Sequence, residues 1–592
     1  MPIMIIVPFE ADPRLPVVVG VTGHRDLRPG DIESLSRAVR EVFQEICAHA
    51  PSSPLVLLSS LAEGADRLVA ETALSFGARL VVPLPMPQAD YEADFAAESL
   101  KEFRMLLAQS AACFEVETPV GDHGTDFRTY GRARDERYRR AGAWVAIHSH
   151  VLLALWDGHT SEKIGGTSSI VRLRLEGGWE QHADALGPLD PIETGPVVHL
   201  VTPRASGLEP DGKPFSRRTL HPAPSAVQTD SFAKDTAMRD RQFVRLLTDT
   251  ERFNCGIRLS SSDFSPEDPN RPPGRSGLFH GTDLHNFAPN IALAERRFAI
   301  ADTMGLQFQM KSRVILLLIL WCAVGGILAL QLYLELWRRP SLLAVYLGAL
   351  VVTGLLSLWT NWRSYQDRHL EARALAEALR VQIAWWLTGV RDSPAEAYLR
   401  LQRPALEWVR SALRVAEIPV TGRDGVPTVE RPSPSSDGFV LARRFWVADQ
   451  HKYFMNAGPR DARLLRRLEV WSGVLFVSAI AAAISVILWH QGLEREELLW
   501  LHHGMLIWMA MAITLTAVVR GYVIWMVLAE QVQQYERMSV VFGLAERRLD
   551  SVDGRDPSAQ LSILRELGLE ALRENGWWLA LHRARPIEMF RG

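Results

Sequence analysis

Two hydrophobic rhythms divide the chain. Over residues 15–204, apolar runs of strand length alternate with stretches whose apolar positions recur at helical spacing. LPVVVGVTGHRD reads as a strand running into a glycine turn, and residues 31–49 follow with Ile32, Leu35, Val39, Val42, Phe43 and Ile46 on one helical face. A second strand, 55–59, enters a helix through Glu63-Gly64-Ala65-Asp66 that closes at Gly77, and RLVVPLPMP gives a third strand stopped by prolines. Helices over 91–110 and 130–142, a strand within AWVAIHSHVLLALWDG and a last strand in PVVHLVTPR complete the series. Strands that are apolar throughout, separated by helices, predict a parallel sheet covered on both faces, an α/β Rossmann-like fold. The opening MPIMIIVPFEADPRLP lacks the basic region and long apolar core of a signal peptide and reads as a short edge strand.

The second rhythm is longer. VILLLILWCAVGGILALQLYL over 314–334 and LLAVYLGALVVTGLLSLW over 342–359 carry no charge. Each approaches the roughly 20 apolar residues that cross a bilayer as a helix. A second pair, 470–489 and about 498–519, is joined by HQGLEREE. The sequence therefore predicts an all-α membrane region with four transmembrane helices in two hairpins. Lys311, Arg313, Arg363, Arg368, Arg373 and Arg380 flank the first hairpin, and Arg463, Arg466, Arg467 and Arg520 the second. By the positive-inside rule these ends are cytoplasmic, which predicts a multi-pass protein of the inner membrane with its N-terminal domain and C-terminus in the cytoplasm. Arg338 and Arg339 in the first turn oppose that count.

This half also repeats itself. RRFAIAD at 296–302 recurs as RRFWVAD at 443–449, each ahead of a hairpin, and each hairpin is followed by a long amphipathic helix beginning near Tyr365 or Tyr535. Those helices share an Ala/Gly-Leu-Ala-Glu core, and the ordered match argues for duplication. The expected domains are 1–204, a ligand-binding α/β domain; 205–290, a Pro/Ser-rich connector interrupted by a helix over 231–248; 291–412, a first two-span module; 413–440, a linker; and 441–592, a second two-span module.

Composition narrows the partners. The 592 residues carry a formal net charge of -3, which gives no basis for nucleic acid as a partner, while 47% hydrophobic residues average soluble and membrane parts. Four scattered cysteines, Cys47, Cys113, Cys255 and Cys322, show no metal-ligand spacing and imply a reducing compartment. The site residues predict no metal and no catalytic group.

Candidate chemistry gathers at strand ends, where a parallel sheet presents helix N-termini to an anion. Gly20, Thr22, Gly23, His24 and Arg25 follow the first strand, Glu63, Gly64 and Asp66 the second, and Asp157 ends the strand before Gly165, Gly166 and Thr167. Glycines admit a phosphate close to the backbone, and Arg25 could pair with it. Each turn taken singly is ordinary loop chemistry; together at one sheet edge they predict a nucleotide-derived ligand. His148 and His150 read as structural, and Arg139 as a helix-surface residue.

These segments, GVTGHRD, LAEGADRLVAETAL, RYRRAGAWVAIHSHVLLALWDG and the GGT turn, resemble the SLOG superfamily of Rossmann-like proteins over about residues 15–204. That group includes nucleotide phosphoribohydrolases of the LOG type and nucleotide sensors. The hydrolases carry GGxGTxxE, whereas this turn is Gly165-Gly166-Thr167-Ser168-Ser169-Ile170 without the glutamate. The departure favours binding without turnover, although Glu63 could supply a carboxylate. The later half, through ADTMGLQFQMKSR, ALAEALRVQIAWW and ENGWWLALHRARP, resembles SLATT domains, two-pass modules of bacterial defence systems. Together the resemblances imply a cytoplasmic nucleotide sensor driving a pore-forming membrane effector, fed by a signal-producing enzyme and acting against phage. A membrane-anchored nucleotide N-glycoside hydrolase and a membrane scaffold remain the alternatives. Thr353 with Ser357, and Ser478 with Ser485, share helical faces that could line a narrow pore; four helices enclose little space, so a pore implies a homo-oligomer within the lipid bilayer. Hydroxyls in spans also commonly bond their own helix.

Overall fold

The computed structural model describes residues 12–116, 127–177, 194–222, 236–260, 278–279, 289–398, 403–419, 436–489, 498–552 and 556–583. The apolar part of the expected N-terminal edge strand lies outside them. By packing, the chain divides into two compact units: 1–271 with 280–298 and 391–434 form one, and 272–279, 299–390 and 435–592 form the other.

The first unit is built on a seven-stranded sheet. Its elements are β1 (Val17–Gly23), α1 (Ile32–His49), β2 (Leu55–Leu58), α2 (Ala65–Ser75), β3 (Arg79–Leu84), α3 (Gln88–Glu92), α4 (Ala97–Leu107), β4 (Ala112–Glu115), α5 (Arg132–His148), β5 (Val151–Trp156), α6 (Thr167–Glu176), β6 (Val197–Val201), β7 (Arg217–Leu220) and α7 (Thr236–Ser260). The strand order is β4-β3-β2-β1-β5-β6-β7. All neighbours are parallel except β6 and β7. Strand order reverses between β1 and β5, which makes their carboxyl ends the topological switch point.

Period-two alternation explains why these strands are apolar throughout. Val17, Val19 and Val21 of β1 enter one core with Leu35, Val39, Val42, Phe43 and Ile46 of α1. Val18 enters the other with Ala141, Val145 and Ala146 of α5 and Ile170 and Val171 of α6. The α1 face is as expected apart from Ile32, which opens the helix and is 40% exposed.

The expected helix over 91–110 is two helices, α3 and α4, and it precedes β4, a strand of four residues too short to read from pattern. The stretch read as a connector, 205–290, contains β7 and α7. Asn254 of α7 is fully buried and mimics a strand neighbour: its Oδ1 accepts from Leu15 N and its Nδ2 donates to Leu15 O, both at 2.8 Å. Glu251 accepts from Ser52 N at 2.9 Å and from Ser53 Oγ at 2.9 Å. The end of the expected first membrane module, from residue 391, and the start of the expected linker over 413–440 also belong to this unit. Val415 and Ile418, at and just beyond the end of a helix over Arg403–Ala416, pack into the core that holds Val18.

The second unit is helical. In chain order the later helices are α8 (Pro289–Glu335), α9 (Pro340–Arg363), α10 (Tyr365–Thr388), α11 (Pro394–Ala397), α12 (Arg403–Ala416), α13 (Ser436–Ala442), α14 (Asp449–Leu488), α15 (Leu499–Trp525), α16 (Leu528–Ser551) and α17 (Pro557–Arg583), of which α11, α12 and the first ten residues of α8 belong to the first unit. Four helical stretches, contributed by α8, α9, α14 and α15, are long and apolar enough to cross a membrane. Exposed Leu317, Leu318, Trp321, Leu347, Leu350, Phe476, Val477 and Ile513 give them apolar outer faces, as a multi-pass membrane protein requires.

The duplicated plan is visible in the helices that follow the second and fourth spans. α10 and α16 are each 24 residues long, and each begins after a single residue in the left-handed region, Ser364 with φ 49° and Val527 with φ 52°. The copies have diverged elsewhere. RRFAIAD is ordinary α-helix within α8, whereas Arg443–Ala448 is a π-helical turn. Glu377 of α10 pairs with Arg373 at 2.6 Å, and its repeat counterpart Glu546 pairs with His451 at 2.6 Å.

Candidate functional site

The turn after β1 is fixed before any ligand is considered. His24 N donates to Leu155 O of β5 at 3.1 Å, and Ala65 N at the start of α2 donates to His24 O at 3.0 Å. Contacts this close demand glycine on both sides. A Cβ on Gly23 would fall 2.3 Å from Ala65 Cβ, and one on Gly64, whose φ is +77°, would fall 2.4 Å from Arg25 O. These two glycines seat α2 against β1, so their spacing in the sequence reports a packing requirement. Gly20 lies within β1 opposite Leu58 and Leu152, with Thr22 opposite Ala154.

His24 bridges the switch point. Its Nε2 accepts a hydrogen bond from Asp157 N at 3.0 Å and stands 3.3 Å from Asp157 Oδ1. Burial lowers the imidazole below its ordinary range and outweighs the pull of Asp157. A neutral ring accepting at Nε2 carries its proton on Nδ1, so His24 ties the two strand ends together. Asp157 is buried, and its Oδ1 accepts from His159 N at 3.0 Å. The glycine turn before α6 is likewise tied in: Gly166 caps the helix, and Ser168 Oγ accepts from Ser161 N at 3.0 Å. Thr167 is half-buried at the first helical position, and Gly165 lies against the backbone of Arg139. Glu63 is held by the hydroxyl of Ser99.

Asp66 and Arg25 are arranged differently. Asp66 sits in the first turn of α2, 7% exposed, with Oδ2 3.4 Å from Ala62 N. Burial pushes its carboxyl up to about 7, against the opposing effects of the Ala62 amide and the Arg25 and Arg67 guanidiniums. The turn that carries it is strained, because buried Leu61 adopts φ 55°. Arg25 is exposed, and its guanidinium lies 5.0 Å above the Tyr138 ring. Arg67, in contrast, is directed at protein through two of its nitrogens: Nε donates to Leu61 O at 3.1 Å and Nη1 to Ser99 O at 2.8 Å, while Nη2 is buried without a partner among the described residues.

A second carboxylate completes this edge. Asp94 accepts from the Tyr138 hydroxyl, from Arg134 at 2.7 Å and from Tyr130 at 3.1 Å. Burial alone would raise its carboxyl, yet the Tyr138 and Arg134 bonds hold it below the usual range. Tyr138 is pushed up to about 12 by burial and by Asp94. Asp94, Arg134 and Tyr138 were not singled out in the sequence. Tyr138 is hidden in a helix that reads only as basic, and Asp94 in what reads as one continuous helix.

The arrangement can present a cation, a phenol and a carboxyl poised between its two protonation states at the carboxyl edge of β1 and β2. Among the described residues no group of His, Cys, Asp and Glu could hold a metal ion. His150, buried, accepts from Val18 N at 2.9 Å through Nδ1, and Arg139 pairs with Glu136 at 2.6 Å, so both serve the fold. In the spans, Ser357 Oγ donates to Thr353 O at 2.9 Å, Ser478 Oγ to Leu475 O at 2.7 Å and Ser485 Oγ to Ala481 O at 2.9 Å. These hydroxyls bond their own helices, the ordinary behaviour of Ser in an apolar span. Comparison with known protein families and with curated proteins finds no match to this chain.

Proposed function

We propose that the α/β unit binds a nucleotide-derived signal at the carboxyl ends of β1, β2 and β5, and that the four apolar helices act as a membrane effector that several copies assemble into a pore. The observation that carries this reading is the pairing of exposed Arg25 with buried, protonatable Asp66 at the strand edge nearest the switch point. Arg25 would take a phosphate, and a protonated Asp66 could donate to a phosphate or a ribose oxygen. In this reading, which the resemblance to SLOG and SLATT proteins supports, the unit lies in the cytoplasm, the spans lie in the inner membrane, and the activity is defence against phage by membrane disruption. A signal-producing enzyme would supply the ligand. Gating follows only if the ligand binds one conformation better than the other.

Asp66 also favours a second reading. A carboxyl near neutrality suits a general acid or base, so an anchored nucleotide hydrolase with the hairpins as tether is the competing function. One experiment separates them. The full-length chain, reconstituted in dye-loaded liposomes, is given adenine nucleotides, ADP-ribose derivatives and cyclic dinucleotides, and the ligand is recovered and weighed by mass spectrometry. Leakage with intact ligand supports the effector. Free base and ribose phosphate without leakage supports the hydrolase, and neither outcome with any ligand refutes both.

A further inference from the structure

Three arginines mark a surface that the sensing role does not use. Arg463, Arg466 and Arg467 lie in α14 at i, i+3 and i+4, so they share one helical face, and all are exposed. The same face continues into Val470, Trp471 and Val474, which are 57%, 63% and 53% exposed as the apolar span begins. The opposite face holds Ser472, 1% exposed, whose carbonyl accepts from Thr516 Oγ1 of α15 at 3.4 Å. The basic stripe therefore points away from the partner helix of its own hairpin.

The first repeat handles its cations in another way. Lys311 lies 5.7 Å from the Phe308 ring, Arg368 lies 5.7 Å from the same ring, and Arg363 lies 5.1 Å from Trp362. Those charges rest on aromatic faces of the protein. In the second repeat Arg463 Nε donates to Pro459 O at 3.1 Å, and among the described residues Arg466 and Arg467 have no carboxylate, carbonyl or ring partner. Glu469, roughly 60° round the helix from Arg466, forms no ion pair with it.

We infer that the Arg463, Arg466 and Arg467 face of α14 binds the phosphate headgroups of anionic phospholipid in the leaflet it borders. Along the face the guanidinium groups come first and the apolar Val470, Trp471 and Val474 follow, and a bilayer likewise presents phosphate before interface and hydrocarbon. Guanidinium groups meet phosphate oxygens in a bidentate fork, and Trp471 sits where its ring can span the polar boundary. The inference rests on α14 crossing a membrane and is independent of the nucleotide reading.

The test uses the full chain released from vesicles of phosphatidylcholine and phosphatidylglycerol in equal amounts, with bound lipid identified by native mass spectrometry. Wild type should retain phosphatidylglycerol preferentially. Substituting R463Q, R466Q and R467Q together should reduce that preference by roughly fivefold per arginine. The corresponding lysine substitutions should preserve most of it, because the charge remains. Equal retention of the two lipids by wild type, or an unchanged preference in the glutamine variant, overturns the inference. Displacement of phosphatidylglycerol by excess inorganic phosphate would reveal a plain anion site and overturn the assignment to lipid. Should the glutamine variant fail to insert, a salt series on wild type decides. The preference must weaken as ionic strength rises, and a preference indifferent to salt refutes the charge-based account.

Discussion

Replacing Asp66 with asparagine isolates the energetic consequence of burying that carboxyl. Its ordinary value is 3.8 and burial pushes it up to about 7. In the folded protein the proton is held more tightly than in the unfolded chain. Stability from this group is therefore fully present below pH 3.8 and is lost as pH rises toward about 7. Integrated over that window, ionised Asp66 costs about 4 kcal/mol relative to its protonated form. Asparagine keeps the shape and an acceptor for Ala62 N but cannot ionise, so the penalty is absent. Thermal unfolding of the full chain in detergent, followed through the transition of the first unit, measures the difference. Wild type and variant should melt together near pH 4, and the variant should melt roughly 10 °C higher at pH 8. A difference that stays flat between these pH values would refute the argument. A variant less stable at pH 8 would refute it more sharply, because Arg25 and Arg67 would then outweigh burial.

Other consequences follow from single positions. Gly64→Ala should destabilise the first unit by more than about 3 kcal/mol and abolish binding together with folding, whereas Gly30→Ala, which would meet nothing within 4 Å, should melt as wild type. Gly23→Val should fail in the same way, by collision with Ala65, so it cannot report on a ligand alone. Asn254→Ala strands both backbone groups of Leu15 and should lower the melting point by several degrees, an expected cost of about 2–4 kcal/mol, measurable by the same scan. In a background without the native cysteines, Glu335→Cys and His503→Cys, at the end of α8 and near the start of α15, should each react with a membrane-impermeant maleimide added outside. Protection of both from that reagent would invert the proposed orientation. Thr353→Leu combined with Ser357→Leu should leave any conductance unchanged, since the Ser357 hydroxyl is already bonded to the Thr353 carbonyl.

What could be read from the residues followed physical rules with long repeat lengths. Parallel strands buried on both faces betray themselves as unbroken apolar runs, and so β1, β2, β3, β5 and β6 are legible, as are the four charge-free spans. Short or externally supported elements are not. β4 has four residues, and β7 is an antiparallel edge of RRTL whose pattern carries no apolar period. The helix ending at Ala416 joins the α/β core through Val415 and Ile418, a long-range contact that no local window encodes. The candidate site divides in the same way. Arg25 and Asp66 are visible as unusual residues at strand ends, but the glycines beside them answer to packing, and Asp94 with Tyr138 emerges only when the turn after α3 meets α5.

The left-handed residues at Ser364 and Val527 have a geometric consequence for how the membrane half can change. An α-helix carries its phase along its length, each residue advancing the surface by about 100°, so a helix continuous from a span into the packed region beyond it would lock the lipid-facing side to the packed side. Ser364 and Val527 reset that count at the end of the second and fourth spans. Val527, β-branched and 1% exposed, holds the break at a cost of about 1–3 kcal/mol, which the surrounding packing must offset. An insertion within α9 would turn the span's outer surface while leaving Leu370, Leu375 and Trp385 of α10 in their core. The outer surfaces of α9 and α15 are thereby free to drift in sequence independently of the packed faces of α10 and α16, whereas α8 and α14 run unbroken into their spans and keep the two sides in phase.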